Sequence, residues 1–105
     1  MLAMDEILSR ANTLAQRCGG DRVPENLLAM VLAHLRRHHD LQATRSLLAA
    51  LQRSPFRLRT QSTTRQLAKL ETHVTATLGG VSGWEDAAWI VGWARRLARS
   101  YGGDR

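Results

Sequence analysis

Residues 63–80, TTRQLAKLETHVTATLGG, carry the full set of helix signals and decide the fold class. Thr63 and Gln66 stand three residues apart, which is the spacing of a capping box at a helix N-terminus. The apolar residues that follow recur at helical spacing and are predicted to face a core: Leu67, Leu70, Val74 and Leu78. Gly79 and Gly80 come next and supply a stop. This stretch predicts a helix.

Three earlier segments carry similar signals. A first helix covers residues 4–18 and meets the pair Gly19-Gly20, a second begins near Pro24, and Asp40 is placed to cap a third. The predicted buried stripe of the second helix comprises Leu27, Leu28, Val31, Leu35 and His38. That of the third comprises Leu41, Thr44, Leu47, Leu48 and Leu51.

The last helix opens with a second capping box, Ser82 and Glu85, and ends at Gly102-Gly103. One face carries Trp84, Ala87, Ala88, Val91, Ala94 and Ala98. The rest of its circumference carries Trp89, Ile90, Trp93, Leu97 and Tyr101. A helix that is apolar almost all round is either central in a bundle or docked against something else.

No segment alternates apolar and polar residues over the length of a strand, so we expect an all-α protein, a single five-helix bundle over residues 1–105. No apolar run approaches the roughly 18–20 residues that span a bilayer, and the N-terminus lacks the pattern of a signal peptide. Cys18 is the single cysteine, which excludes an internal disulfide and fits a reducing compartment. We therefore expect a cytoplasmic protein that does not bind membranes.

Positive charge is concentrated in the middle of the chain. Residues 31–70 hold eight basic residues against one acid, Asp40, a net charge of +7. Fourteen of the fifteen basic residues of the whole chain are arginines, a ratio that codon bias could also produce. Arginine presents a planar fork of donors that matches phosphate oxygens. The candidate nucleic-acid-binding residues are Arg36, Arg37, Arg45, Arg53, Arg57, Arg59, Arg65 and Lys69.

The segment between the third and fourth helices is the first candidate phosphate site. Arg53, Arg57 and Arg59 flank Phe56 there, and the segment leads directly into the helix start at Thr63. Free backbone N–H groups at a helix N-terminus bind phosphate, and adjacent arginines add charge-assisted contacts. Such contacts do not depend on base sequence. The alternative is a solvated basic loop with ordinary caps.

A second basic group surrounds the turn between the second and third helices. It consists of Arg36, Arg37 and Arg45, with His38 and His39 between them. A chain of phosphates could pass from this group to the first site if both lie on one face. The alternative is a charged outer face that keeps the bundle soluble.

The spacing of the histidines and of the single cysteine gives little support for metal binding or catalysis. His34 and His38 stand four apart, a spacing that can point two imidazoles at one metal, but zinc needs further ligands. Cys18 and His73 show no motif spacing to them, so a half-buried histidine pair is the preferred interpretation. Cys18 ends an apolar face and is expected to be an inert thiol. We expect no enzyme activity, metal or cofactor.

The apolar residues around almost the whole circumference of the last helix indicate an interaction surface. Trp89 and Trp93, with Arg96 on the same side, form a candidate partner-docking patch because tryptophan and arginine are enriched at the energetic centres of interfaces. Two alternatives stay open: burial in the protein's own core, and stacking on bases as in proteins that bind single strands.

Two stretches carry a family resemblance. Thr63-Thr64-Arg65-Gln66-Leu67-Ala68-Lys69-Leu70 resembles the Thr-Thr/Ser-x-Gln-Leu/Ile-Arg-Lys-apolar motif of the small subunit of type III-A CRISPR effector complexes. It departs from that motif at Ala68, where the family has arginine. Residues 85–99, an alanine-rich helix with tryptophan followed by arginines, look like the closing helix of the type III-B small subunit. Small size, helical content and basic charge are similar to small subunits of types I and IV as well.

The resemblance implies a non-catalytic subunit, present in several copies, in an RNA-guided ribonucleoprotein. Its partners would be guide RNA or the target or displaced strand, the backbone-forming subunits, and copies of itself. Arg65 and Lys69 would face nucleic acid. Two alternatives remain, a helical protein–protein adaptor and a small DNA-binding regulator that uses the second and third helices as a helix-turn-helix.

Overall fold

The computed structural model describes residues 2–53 and 61–102, with the side chains of residues 2–50 and 65–99. Five helices fill these ranges, and no strand occurs within them. The helices are α1 (Met4–Gly20), α2 (Glu25–His38), α3 (Leu41–Arg53), α4 (Gln61–Thr77) and α5 (Trp84–Gly102). The predicted all-α five-helix bundle is therefore confirmed. No helix in the described part of the chain is long and apolar enough to span a membrane.

Helix α5 occupies the centre of the packing. It has its most extensive contacts with α1 and α2, while α4 packs against α1 and α3. Glu25 at the start of α2 bonds Arg95 late in α5, whereas His39 after the end of α2 stacks on Trp84 at the start of α5. Helices α2 and α5 therefore run antiparallel, with a shared groove along one side.

Most residues of the predicted apolar stripes lie in the core. Leu27 and Leu47 are half-buried, and the side chain of Leu51 lies outside the described residues. Leu67, Leu70, Val74 and Leu78 are all buried, as are Leu28, Val31 and Leu35. Ile90, which the sequence pattern places on the remaining circumference of the last helix, is fully buried, because the core side of α5 is centred on Ala87, Ile90, Val91 and Ala94. His38, assigned to the buried stripe of α2, is exposed, and Leu32 is buried instead.

Several helix ends match the sequence signals. Asp40 caps α3, since its Oδ1 accepts from the N–H groups of Gln42 at 2.9 Å and Ala43 at 3.2 Å. Helix α4 ends at Thr77, and Gly80 has a φ of 82°, a left-handed conformation that glycine adopts without strain. Pro24 is the N-cap residue of α2 and not its first helical residue, so the helix begins one position after Pro24, at Glu25.

Both predicted capping boxes are wrong. Helix α4 begins at Gln61, two residues before Thr63, and the Nε2 group of Gln66 donates to the Arg22 carbonyl at 3.2 Å. Helix α5 begins at Trp84, and the carbonyl of Gly83 accepts from the Ala87 N–H at 3.3 Å. The N-cap position therefore belongs to Gly83 and not to Ser82.

At the ends of α1 and α2, a residue other than glycine takes the left-handed conformation. Helix α1 continues through Gly20, and Arg22 has a φ of 58°. The Val23 N–H then bonds the Cys18 carbonyl at 2.8 Å, which completes a Schellman-type end. His39 has a φ of 54° after α2, so the tight connection to α3 forms without the glycine that such turns often contain.

Candidate nucleic-acid interface

A groove of about 590 Å³ runs between α2 and α5. Leu32 and Arg36 line it from α2. The other described residues that line it belong to α5, and they are Trp84, Glu85, Ala88, Trp89, Gly92, Trp93, Arg95, Arg96 and Arg99. The volume lies within the range of small-molecule sites, roughly 300–1,000 Å³.

Helical periodicity explains why α5 lines the groove so fully. Its lining residues recur every three or four positions, so they occupy the side of α5 opposite the buried Ile90 and Ala94. Gly92 lies where the two helices approach, and a Cβ added there would be 3.8 Å from Leu32 Cδ2. A residue without a side chain therefore leaves the groove open at its middle.

The rim of the groove is strongly positive. Among the described residues, four guanidinium groups line it against a single carboxylate, Glu85. Glu25, beside the groove, accepts from Arg95 Nε at 2.8 Å and lies 3.6 Å from Arg99 Nε. Arg36 is exposed and has no carboxylate partner among the described residues. An excess of positive charge therefore remains for an anionic ligand.

The three tryptophans of the groove differ in what covers them. The Trp84 ring is stacked by His39, with centroids 4.1 Å apart and planes 8° from parallel. The guanidinium of Arg96 lies 5.0 Å from the centroid of Trp93, a cation–π contact, and Trp93 Nε1 is enclosed with no partner in the described part of the chain. Trp89 is 55% exposed. The predicted patch of Trp89, Trp93 and Arg96 thus lies on one surface, although Trp93 is half-buried.

The predicted basic group around the α2–α3 turn is divided by the fold. Arg36 faces α5 and the groove, and Arg37 is exposed outside it. Arg45 turns the other way and donates from Nη2 to the Leu78 carbonyl at 3.3 Å, next to the end of α4. Arg45 Nε is buried without a partner among the described groups. The guanidinium of Arg45 therefore supports the end of α4 and is not presented on the face that carries Arg36.

The remaining candidate cations lie elsewhere. Arg65 and Lys69 are exposed one turn apart on the solvent side of α4, and no α4 side chain from position 65 onward lines the groove. Arg57 and Arg59 lie outside the described residues, and so does the side chain of Arg53. The phosphate site predicted between α3 and α4 stays a prediction.

The histidines form hydrogen bonds and ring contacts. His34 Nδ1 lies 2.8 Å from Thr44 Oγ1, which itself donates to the Asp40 carbonyl at 3.2 Å. Because that hydroxyl proton is committed, His34 donates from Nδ1. The rings of His34 and His38 are 4.3 Å apart. Burial, together with the positive charges of His38 and Arg37, lowers the pKa of His34 from 6.5.

Neither a metal cluster nor a reactive thiol is apparent in the ranges that the structure describes. They contain no group of three histidine, cysteine, aspartate or glutamate side chains placed to hold a metal ion. His73 on α4 pairs with Asp21, which lies in the connection between α1 and α2. Cys18 is fully buried, and burial first, with the Asp21 charge second, raises the pKa of its thiol to about 12.

Sequence reasoning missed four residues of this site. Trp84 was assigned to the core, Arg95 and Arg99 were not singled out, and Glu25 had no apparent role. A signal for the three on α5 exists, because Trp84, Arg95 and Arg99 share a side of the helix with Ala88 and Gly92. Glu25 lies 70 residues from Arg95 in sequence and offers no local signal.

The groove brings charged groups and aromatic rings together. In the part of the chain that the structure describes, it combines four arginines, three tryptophans and one carboxylate between two antiparallel helices. That combination suits a ligand that carries both negative charge and flat rings. No protein-family model matches the chain, and no match was found among curated proteins or solved structures.

Proposed function

We propose that this chain is a non-catalytic nucleic-acid-binding protein that holds the phosphates of a single strand without reading its base sequence. The observation that carries the proposal is the convergence of Arg36 from α2 with Arg95, Arg96 and Arg99 from α5 on one groove. Guanidinium groups bind phosphate oxygens through charge-assisted, often bidentate, hydrogen bonds. Contacts of this kind position a strand and carry no sequence information.

We also propose the setting in which it acts, the small subunit of a CRISPR effector complex. The support is the motif of residues 63–70, which falls on α4 and leaves Arg65 and Lys69 exposed on the solvent side. In that setting the chain binds guide RNA or a target or displaced strand in the cytoplasm. It contacts the backbone-forming subunits and its own copies, and it contributes no catalytic group.

Salt dependence of binding tests the first part of the proposal. Anisotropy of a labelled single strand is measured over a series of salt concentrations with the full chain. The logarithm of the association constant should fall linearly with the logarithm of salt, with a slope of about 0.7 for each phosphate contacted on a single strand. Strands of unrelated sequence and equal length should give the same slope and similar affinities.

Two double variants locate the contacts. Arg36→Gln with Arg96→Gln should lower the slope by about 1.4 in total if each arginine holds one phosphate. Arg65→Gln with Lys69→Gln makes the same charge change on α4 and tests the motif. Arg17→Gln, at an exposed position in the last turn of α1, is the control and should leave the slope unchanged. Absence of binding at low salt, alone and in a reconstituted complex, would contradict the proposal.

The CRISPR setting requires its own test. A tagged chain expressed in its native host should co-purify with RNA that contains repeat-derived sequence, together with a repeat-family backbone protein. Recovery of bulk cellular RNA without repeat-derived sequence would rule out the setting. That result would still allow general binding of nucleic acid.

One observation favours a second function, a protein–protein adaptor. Trp89 exposes more than half of its surface beside Trp93 and Arg96, a composition common at the energetic centres of interfaces. Sedimentation velocity distinguishes self-association through this patch. An adaptor that docks on its own copies should form dimers or larger species that Trp89→Ala abolishes. A monomer at high concentration would exclude that mode.

A further inference from the structure

The groove contains one tryptophan that is open for stacking. His39 covers one face of Trp84, and Arg96 lies over Trp93. Trp89 is 55% exposed, and in the described ranges no aromatic ring or guanidinium lies over it. A large exposed aromatic side chain leaves a substantial apolar face in water. Trp89 is therefore the free platform of the groove.

Charge around Trp89 limits what can cover it. Arg96 follows on the same side of α5, and Arg36 faces the groove from α2. Glu25 is engaged with Arg95 and Arg99, so Arg36 and Arg96 are the two lining guanidiniums without a carboxylate partner among the described residues. An occupant must therefore supply anionic groups for these two arginines as well as a flat surface for the ring.

We infer that Trp89 stacks on an unpaired base of the bound strand, while Arg36 and Arg96 hold the phosphates beside that base. A nucleotide unit carries a flat ring and an anionic group, and the groove has the volume of a small-molecule site. Bases in a duplex are stacked on each other and show only their edges, so the platform selects a single strand. This inference rests on the proposed function and adds the base to the phosphate contacts.

A pair of strands with identical phosphates separates stacking from charge. An oligothymidylate and an abasic strand of equal length are compared by anisotropy with the full chain. Stacking on an aromatic side chain should make the oligothymidylate bind roughly tenfold more tightly. It should also quench tryptophan emission, and the abasic strand should not. The single strand should bind more tightly than a duplex of the same sequence.

Variants of Trp89 distinguish a π-stack from an apolar contact. Trp89→Leu keeps an apolar side chain but removes the ring, and it should lower oligothymidylate affinity to that of the abasic strand. Trp89→Phe keeps a smaller ring and should retain most of the difference. Because Trp89 is largely exposed, both variants are expected to keep the wild-type circular dichroism spectrum.

A matched pair of arginine variants locates the phosphate contact. Arg36→Gln and Arg37→Gln remove the same charge from adjacent positions, but only Arg36 lines the groove. Arg36→Gln should lower the affinity for both strands, and Arg37→Gln should lower it less. Equal effects would mean diffuse attraction rather than a contact in the groove.

Three results would overturn the inference, and each has a distinct meaning for the proposed function. Equal binding of both strands, unaffected by Trp89→Leu, would remove the stack and leave the phosphate contacts in place. Failure of both strands to bind would remove the proposed function as well. Displacement of oligothymidylate by a copolymer of glutamate and tyrosine at equal charge concentration would assign the groove to an acidic protein segment.

Discussion

The imidazole ring of His39 lies parallel to the indole ring of Trp84, 4.1 Å away, and joins the end of α2 to the start of α5. His39 also adopts the left-handed conformation, with a φ of 54°, that lets the chain turn into α3. One residue therefore closes a turn and fixes one end of the groove. The stack keeps Trp84 in place beside Arg36 and Ala88, which also line the groove.

Two substitutions at His39 should separate these roles. His39→Ala loses the stack and keeps a side chain at positive φ, so it should lower the free energy of unfolding by about 1 kcal/mol. His39→Gly also loses the stack but removes the backbone strain, so it should lie within about 0.5 kcal/mol of wild type. Urea unfolding followed by circular dichroism measures both. Equal losses in the two variants would show that the left-handed turn costs little here.

Arg10 should stabilise the end of α4 from a distance. Its Nη1 group donates to the carbonyls of Thr77 and Gly79, both at 2.7 Å, where α4 leaves its last carbonyls without helical partners. Arg10→Ala should lower the free energy of unfolding by about 1.5–3 kcal/mol, since these are charge-assisted bonds. Arg10→Lys should lose roughly half as much. Arg17→Ala, which removes an exposed arginine of the same helix, should change stability by less than about 0.5 kcal/mol.

The sequence-based predictions succeed where one segment decides the outcome. The apolar stripe of α4 and the Asp40 cap depend on residues within a few positions of each other, and both occur as predicted. The capping box at Thr63 fails because α4 already begins at Gln61 and Gln66 finds a partner in Arg22, which lies 44 residues away in sequence. A pattern within a few residues does not show that a side chain will bond a group far away in sequence. Patterns of this length therefore predict that a helix exists better than they predict its first residue.

The groove could not be predicted because it forms between two segments. Arg36 was assigned to a basic group with Arg45, and Trp89 to a separate docking patch. Antiparallel packing of α2 on α5 brings Arg36 to the tryptophans, and the fold turns Arg45 to the end of α4. Helical spacing shows which residues share a side of one helix. It does not show which side of another helix they meet.

The free energy of unfolding should decrease as the pH is lowered through the range where His34 titrates. Burial, His38 and Arg37 lower the pKa of His34 from 6.5, against a smaller opposing effect of Asp40, so the folded chain binds this proton less tightly than the unfolded chain does. The contribution is fully present above about pH 6.5 and is lost as the pH falls below it. His34→Gln, which can still donate to Thr44, should flatten the dependence of unfolding midpoint on pH. His38→Gln should flatten it in part, because one neighbouring positive charge is removed.

The thiol of Cys18 should report on unfolding. It is fully buried at the end of α1, and burial raises its pKa to about 12, so the reactive thiolate is scarce and shielded in the native protein. Iodoacetamide should label it very slowly under native conditions at about pH 8 and rapidly in denaturant. The native labelling rate should follow the opening free energy across the His39 and Arg10 variants. Labelling at the rate of a free thiol would show that the end of α1 opens independently of the rest.

Substitution of Gly92 should separate stability from binding in the groove. Glycine inside a helix costs about 1 kcal/mol relative to alanine. A Cβ at position 92 would meet Leu32 Cδ2 at 3.8 Å and Cδ1 at 3.9 Å, which is ordinary van der Waals contact. Gly92→Ala should therefore raise the free energy of unfolding by about 1 kcal/mol and nearly preserve binding of oligothymidylate. Gly92→Leu should fill the groove and weaken that binding several-fold, while circular dichroism shows an intact bundle. If Gly92→Leu binds as wild type does, the strand does not enter the groove, and the contacts must be sought on α4 at Arg65 and Lys69.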